Sequence, residues 1–152
     1  MGPRHQAREV ALRVLFQIES GPGEWGSALA YHLEAEGLDT EAGQFARLLV
    51  AGVFEHLGEI DALLTSSSSN WKLDQMGAVE RAVLRLGCEE LVWQRTEPVP
   101  VVIDEAIRLA KEMAGPDAGR FVNGVLGHLA KSSGPDGRGR AGAGTGPSIT
   151  GR

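Results

Sequence analysis

Apolar side chains recur at three- and four-residue intervals along nearly the whole chain, a period that predicts helices. Between Pro3 and Ser20 they fall at positions 7, 10, 11, 14, 15 and 18, and Gly21-Pro22-Gly23 ends the run. Trp25, Ala28, Leu29, His32 and Leu33 predict a second helix over Glu24 to Glu36, with Gly37 as its stop. Asp39 or Thr40 can cap a long third helix. Its apolar series, Phe45, Leu48, Leu49, Gly52, Val53, Leu57, Ile60, Leu63 and Leu64, runs on to the serines 66–69. A short connector, Asn70 to Met76, follows, with Asp74 as the candidate cap of the next helix.

The stretch Ala78 to Arg95 is apolar around most of its circumference, and only Arg81, Arg85 and Glu89 form a charged stripe in its middle turns. Such a helix belongs inside a bundle, so it is expected to be the hydrophobic axis of the domain. Pro98 and Pro100 separate it from a helix over about Val101 to Ala114. Gly115-Pro116-Asp117 then breaks the chain before a last helix, Ala118 to Lys131, which Asp117 is placed to cap. No segment shows sustained strand alternation. The expectation is an all-α domain of about seven helices over residues 1–131. The Gly/Ser/Arg-rich segment 132–152 has almost no large apolar residue to offset its ordering entropy and is expected to be a disordered tail.

Composition narrows the function. One cysteine excludes an internal disulfide framework, and no apolar run of about 18 residues is present for a membrane span. With no signal-peptide pattern at the start, a cytoplasmic setting is expected. The formal net charge of −5 is unevenly spread. Residues 1–20 carry three arginines against two glutamates, whereas residues 21–130 hold eight basic and seventeen acidic groups. A local anion site at a terminus and a basic protein partner for the body are both compatible with that distribution.

Enzyme chemistry is nearly absent from the pattern. No glycine-rich phosphate loop follows a strand, and His5, His32, His56 and His128 lie in no metal-binding helix motif. Neither a metal nor another cofactor is expected. Cys88 falls on the apolar face of its helix as a small buried thiol, and Glu89-Glu90 reads as a solvated helix end.

The first helix is more informative. Arg8, Leu12, His5 and Phe16 lie outside its core stripe on a second face. Basic groups beside a ring are how single-stranded RNA is held, charge against phosphate and ring against base. The competing reading is that Leu12 and Phe16 pack under a neighbouring helix. In the last helix Phe121 sits at the edge of the stripe Val122, Val125, Leu126 and Leu129, near Asp117 and Arg120, where it too fits either core or platform. With three or four basic groups near the first helix, at most about three phosphates can be neutralised. The expected log–log salt slope on a single strand is then roughly −2. Such a site needs added contact surface, and the acidic body offers it to a basic co-binding protein.

Four motifs, Arg4-His5-Gln6-Ala7-Arg8-Glu9, Ala82-Val83-Leu84-Arg85-Leu86, Glu105 to Lys111 (EAIRLAK) and Phe121 to Leu126 (FVNGVL), stand in this order and at these spacings. Together they resemble the NusB family of bacterial transcription antitermination factors, over essentially residues 3–131. The resemblance implies two packed helical sub-bundles. It also implies binding of the boxA element of ribosomal RNA leader transcripts together with NusE, a small-subunit ribosomal protein, in an RNA polymerase antitermination complex. It carries RNA contact onto Arg4, His5 and Arg8, with Phe16 as the ring, and onto Asp74, Asp117, Arg120 and Phe121. The NusE-facing surface maps around Glu80 and Arg81. Asn123 is expected to tie backbone groups at a crowded helix start. His5 and Gln6 stand where some relatives carry arginine, which thins the basic run. A protein-only adaptor or homodimer with weak RNA binding is therefore the alternative. Similar domains also precede methyltransferase domains, but only a polar tail follows Lys131 here.

Overall fold

A computed structural model describes residues 2–68 and 71–133. The expected tail therefore falls, beyond Ser133, outside the described residues. Seven α-helices account for nearly all of the rest: α1 (Pro3–Ser20), α2 (Trp25–Glu36), α3 (Thr40–Glu55), α4 (Leu57–Ser67), α5 (Ala78–Glu89), α6 (Val99–Ala114) and α7 (Pro116–Ser133). A 3-10 turn, Leu73–Gln75, precedes α5, and a π-helical turn, Glu90–Gln94, extends it. No helix among the described residues is long and apolar enough to cross a membrane.

Helices α1, α2 and α3 pack into one sub-bundle, and α4, α5, α6 and α7 into a second. Helix α5 touches α1, α3, α4, α6 and α7, so it is the axis that its apolar circumference predicts. Val83, Leu84 and Cys88 on it are fully buried, beside Val10, Val14, Leu49, Leu64 and Leu126. The α5–α7 crossing is tight enough that a Cβ at Gly87 would lie 2.7 Å from Leu126 Cδ1. Burial, and then the nearby carboxylates of Glu89 and Asp61, push the Cys88 thiol far above its ordinary pKa, which leaves it an inert core group.

Local signals set most boundaries. Pro3 occupies the first turn of α1 and Pro100 that of α6, where a missing N–H costs nothing. Gly37 closes α2 in the left-handed region (φ 65°), donating its N–H to the carbonyls of Leu33 and Glu34. The Asp39 carboxylate accepts from the Ala42 N–H at 2.8 Å and starts α3.

Four expectations are corrected. The long third helix is two, broken at His56 (φ −107°, ψ 19°). That residue's imidazole is stacked on Trp93 (centroids 4.2 Å apart, planes 4° apart), and its Nδ1 lies 2.8 Å from Glu89 Oε1. Asp74 does not cap α5. The cap is Gly77, and Asp74 sits within the 3-10 turn. Asp117 lies inside the first turn of α7, paired with Arg120, rather than ahead of it. Glu89 and Glu90 are not a solvated end, being 0% and 3% exposed.

The two buried acids sit where α5 passes into the π turn. Consecutive helical residues point about 100° apart, so Glu89 and Glu90 reach different helices of the first sub-bundle. Glu89 faces Gly52 of α3 and His56 at the break after that helix, and accepts from Gln94 Nε2 at 2.6 Å. Glu90 faces Arg8 of α1. A side chain at Gly52 would overlap the Glu89 carboxylate and displace it from this buried position. Arg95 ends the turn with φ 54°, its N–H bonded to the Glu90 carbonyl at 2.8 Å.

Candidate nucleic-acid interface

The basic start of α1 is built against acids from the far end of the chain. Arg8 donates from Nε and Nη2 to the two Glu90 oxygens, both at 2.8 Å, and from Nη2 to Glu97 Oε2 at 2.7 Å. Its side chain is 3% exposed. Burial opposes its charge, but the bonds to Glu90 and then Glu97 outweigh burial and hold the guanidinium more firmly protonated than usual. Arg4 lies over the Phe45 ring, 4.4 Å from its centroid, and donates to Glu97 at 3.1 Å while half of its side chain stays in solvent. Burial alone would raise Glu97, yet Arg8 and Arg4 together hold it below the ordinary carboxylate range.

His5 is 5% exposed, with Nδ1 2.8 Å from Glu105 Oε1. Of the basic groups expected on this face, Arg4 is open to solvent, while His5 and Arg8 are enclosed by α6 and the π turn. As folded, Arg8 is a buried ion pair and not an exposed phosphate contact.

The outer face of α1 divides in the same way. Leu12 is buried at 3% exposure, as the packing reading of that face expects, whereas Phe16 remains exposed at 43%. One turn further on, Glu19 accepts from Arg81 Nε at 2.6 Å. Arg81 Nη1 also donates to the carbonyls of Leu73 (2.8 Å) and Met76 (2.9 Å). This side chain therefore ties the end of α1 to the turn that carries Asp74. That is a structural job, where the sequence expectation made Arg81 a partner contact. Glu80 is half-buried, its carboxylate lying back over Gly77.

From the 3-10 turn the surface continues to α7. Trp71, half exposed, meets Phe121 edge-on with centroids 6.0 Å apart. Arg120 and Asp117, both exposed, pair on the same turn of α7. Asn123 is exposed and has no side-chain hydrogen bond with the described residues, so the expected backbone tie is not made. The Glu19–Arg81 bond thus ties the end of α1 to the turn that carries Asp74, and the Trp71–Phe121 contact ties the connector before that turn to α7. Arg4 lies three helical turns from Phe16, about 18 Å along α1. Sequence reasoning missed Trp71, although the pairing of a ring with Lys72 in the connector was a usable signal.

This surface offers rings for base stacking, carboxylates that can accept from exocyclic amines, and a few cations for phosphate. A small-molecule site is harder to find. A cleft of about 220 Å³ between α1, α3 and α5, lined by Leu15, Ile18, Val53, Phe54 and Arg85, is mostly apolar. It is smaller than the roughly 300–1,000 Å³ of typical ligand pockets.

The NusB family profile matches residues 5–131. The chain belongs to the NusB family. The transcription antitermination protein NusB of an Exiguobacterium species is 44% identical over 128 residues, covering 84% of this chain and 97% of that one. NusB of Desulforamulus reducens is 43% identical over 126 residues, 83% of this chain and 88% of the relative. Among solved structures, NusB of T. maritima superposes with a TM-score of 0.83 at 35% identity over 89% and 95% of the two chains. A structure of antitermination factors NusB and NusE in complex with dsRNA matches with a TM-score of 0.80 at 30% identity, covering 86% and 97%. The all-α architecture in two sub-bundles is thus the NusB fold.

Proposed function

We propose that this protein is a cytoplasmic, non-enzymatic transcription antitermination factor. It binds the boxA element of ribosomal RNA leader transcripts as a heterodimer with NusE and promotes terminator read-through by RNA polymerase. The observation that carries the reading is its likeness, over nearly all of the matched chain, to a NusB seen with both NusE and RNA. Phe16, Phe121 and Trp71 supply stacking surface, Asp74 and Asp117 supply acceptors, and Arg4 and Arg120 supply charge. Arg8 and His5 act from beneath, fixing the start of α1. Glu80, at the outer start of α5, is the NusE-facing group, with Arg81 holding the backbone beside it.

The neutralised arginines favour one second reading, an adaptor or homodimer with weak RNA binding. Transcription in vitro through a terminator downstream of a boxA leader distinguishes the two. With NusE and the remaining antitermination factors present, adding this protein should raise read-through on the boxA template and leave a scrambled-boxA template unchanged. Equal read-through on both templates would overturn the RNA-reading proposal.

A further inference from the structure

The start of α1 contains a second chemistry that RNA binding does not use. His5 is 5% exposed, yet its Nε2 has no hydrogen-bond partner among the described residues. A polar atom buried in that way costs about 1–3 kcal/mol unless something else satisfies it. The oxygens it faces are Glu9 Oε2 at 3.4 Å and Glu112 Oε1 at 3.6 Å. Both are longer than a good N–H···O hydrogen bond, about 2.7–3.2 Å. They do match the edge of a tetrahedron whose corners lie about 2.1 Å from a central ion, roughly 3.4 Å. The three ligand atoms all fall within 4.8 Å of one another.

From these contacts we propose that His5, Glu9 and Glu112 form a binding site for a divalent transition-metal ion of the zinc type. Glu105 orients the imidazole. Its carboxylate sits 2.8 Å from Nδ1, where it accepts a hydrogen bond from Nδ1–H when the opposite nitrogen, turned toward Glu9 and Glu112, binds a metal. A carboxylate behind the ring is the usual support of a metal-bound histidine.

The backbone makes this arrangement natural. His5 and Glu9 are one turn apart on α1, and Glu105 and Glu112 are two turns apart on α6, so each pair shares a helix face. Charge points the same way. The Arg8, Arg4 and Arg108 guanidiniums sit against Glu90, Glu97 and Glu105, while Glu9 and Glu112 face the imidazole. Two carboxylates and an imidazole balance a divalent ion, and the 44% exposed Glu112 side leaves room for water as a fourth ligand. An imidazole in the set favours zinc or cobalt over magnesium or calcium, which prefer all-oxygen shells. Bound metal would staple the start of α1 to α6, next to the exposed Arg4.

The test uses the untagged full chain, stripped with chelator and titrated with ZnCl2 by calorimetry. Co2+ serves as a spectroscopic probe of tetrahedral ligation. The expected result is about one tight equivalent of zinc, visible Co2+ bands of tetrahedral type, and a melting temperature about 8 °C higher when free zinc is 100 times Kd. Glu112→Gln, at an exposed position that does not threaten folding, should weaken zinc at least tenfold. His5→Gln should weaken it further, and His128→Gln should leave it unchanged. Absence of zinc binding overturns the proposal and leaves His5 as an ion-pair hub. Zinc affinity that survives both Glu112→Gln and Glu9→Gln also overturns it, as does a melting shift that Mg2+ reproduces.

Discussion

Arg4 and Arg8 stand one turn apart on α1 and are chemically identical, yet they do different work. Arg8 is enclosed, with all its charge answered by Glu90 and Glu97. Removing it strands a buried carboxylate, so Arg8→Ala should cost about 3–5 kcal/mol in chemical denaturation. Arg4 contributes an exposed contact with the Phe45 ring and a rim ion pair, worth about 1 kcal/mol or less together. Arg4→Ala should therefore keep the melting transition nearly intact while lowering affinity for boxA RNA. Equal destabilisation by the two substitutions would contradict this division. Neither role was legible locally. The acids that enclose Arg8 arrive from positions 90 and 97, some eighty residues away, and nothing in the spacing of the first helix announces them. The metal-ligand geometry at His5 was hidden for the same reason, because Glu105 and Glu112 belong to α6.

Among the elements, periodicity located the helices well because each buries one face or, for α5, nearly all faces. It failed where side chains bend the backbone. His56 lies in an unbroken apolar series, but its ring is held by Trp93 and Glu89, and the helix kinks there. The π turn after α5 was equally invisible, since Glu89-Glu90 looks like any polar helix end. The acid buried just before it, Glu89, has a measurable consequence. Burial raises the Glu89 pKa above its ordinary 4.5, against the opposing bonds from Gln94 and His56. The folded protein then keeps a proton that the unfolded chain has released, so stability falls as pH rises above about 4.5 toward the raised value. Thermal melts from pH 5 to pH 8 should show the native protein losing stability relative to Glu89→Gln. A constant difference across that range would mean that Glu89 titrates normally.

For the whole molecule, the charge asymmetry of the sequence is real but partly spent inside. The arginine excess of the first twenty residues meets acids of the body in Glu90, Glu97 and, for Arg13, Glu36. Few cations at the start of α1 are left for phosphate, and the exposed rings proposed for stacking are Phe16 and Trp71, with Phe121 half-buried against the core under Trp71. On the proposed function, stacking and a protein partner supply most of the affinity, because each stacked base contributes about 1–3 kcal/mol without reading sequence strongly. The family and its helical body were legible from four motifs in register. The meeting of Trp71 with Phe121 was not legible, because the connector brings two rings some fifty residues apart together only in the fold. The most direct test is a titration of labelled boxA RNA, with and without NusE, repeated across salt concentrations. Binding should be weak for the protein alone, tight and selective over scrambled RNA with NusE, and should fall with a log–log salt slope of roughly −2. No preference for boxA in the presence of NusE would contradict the account.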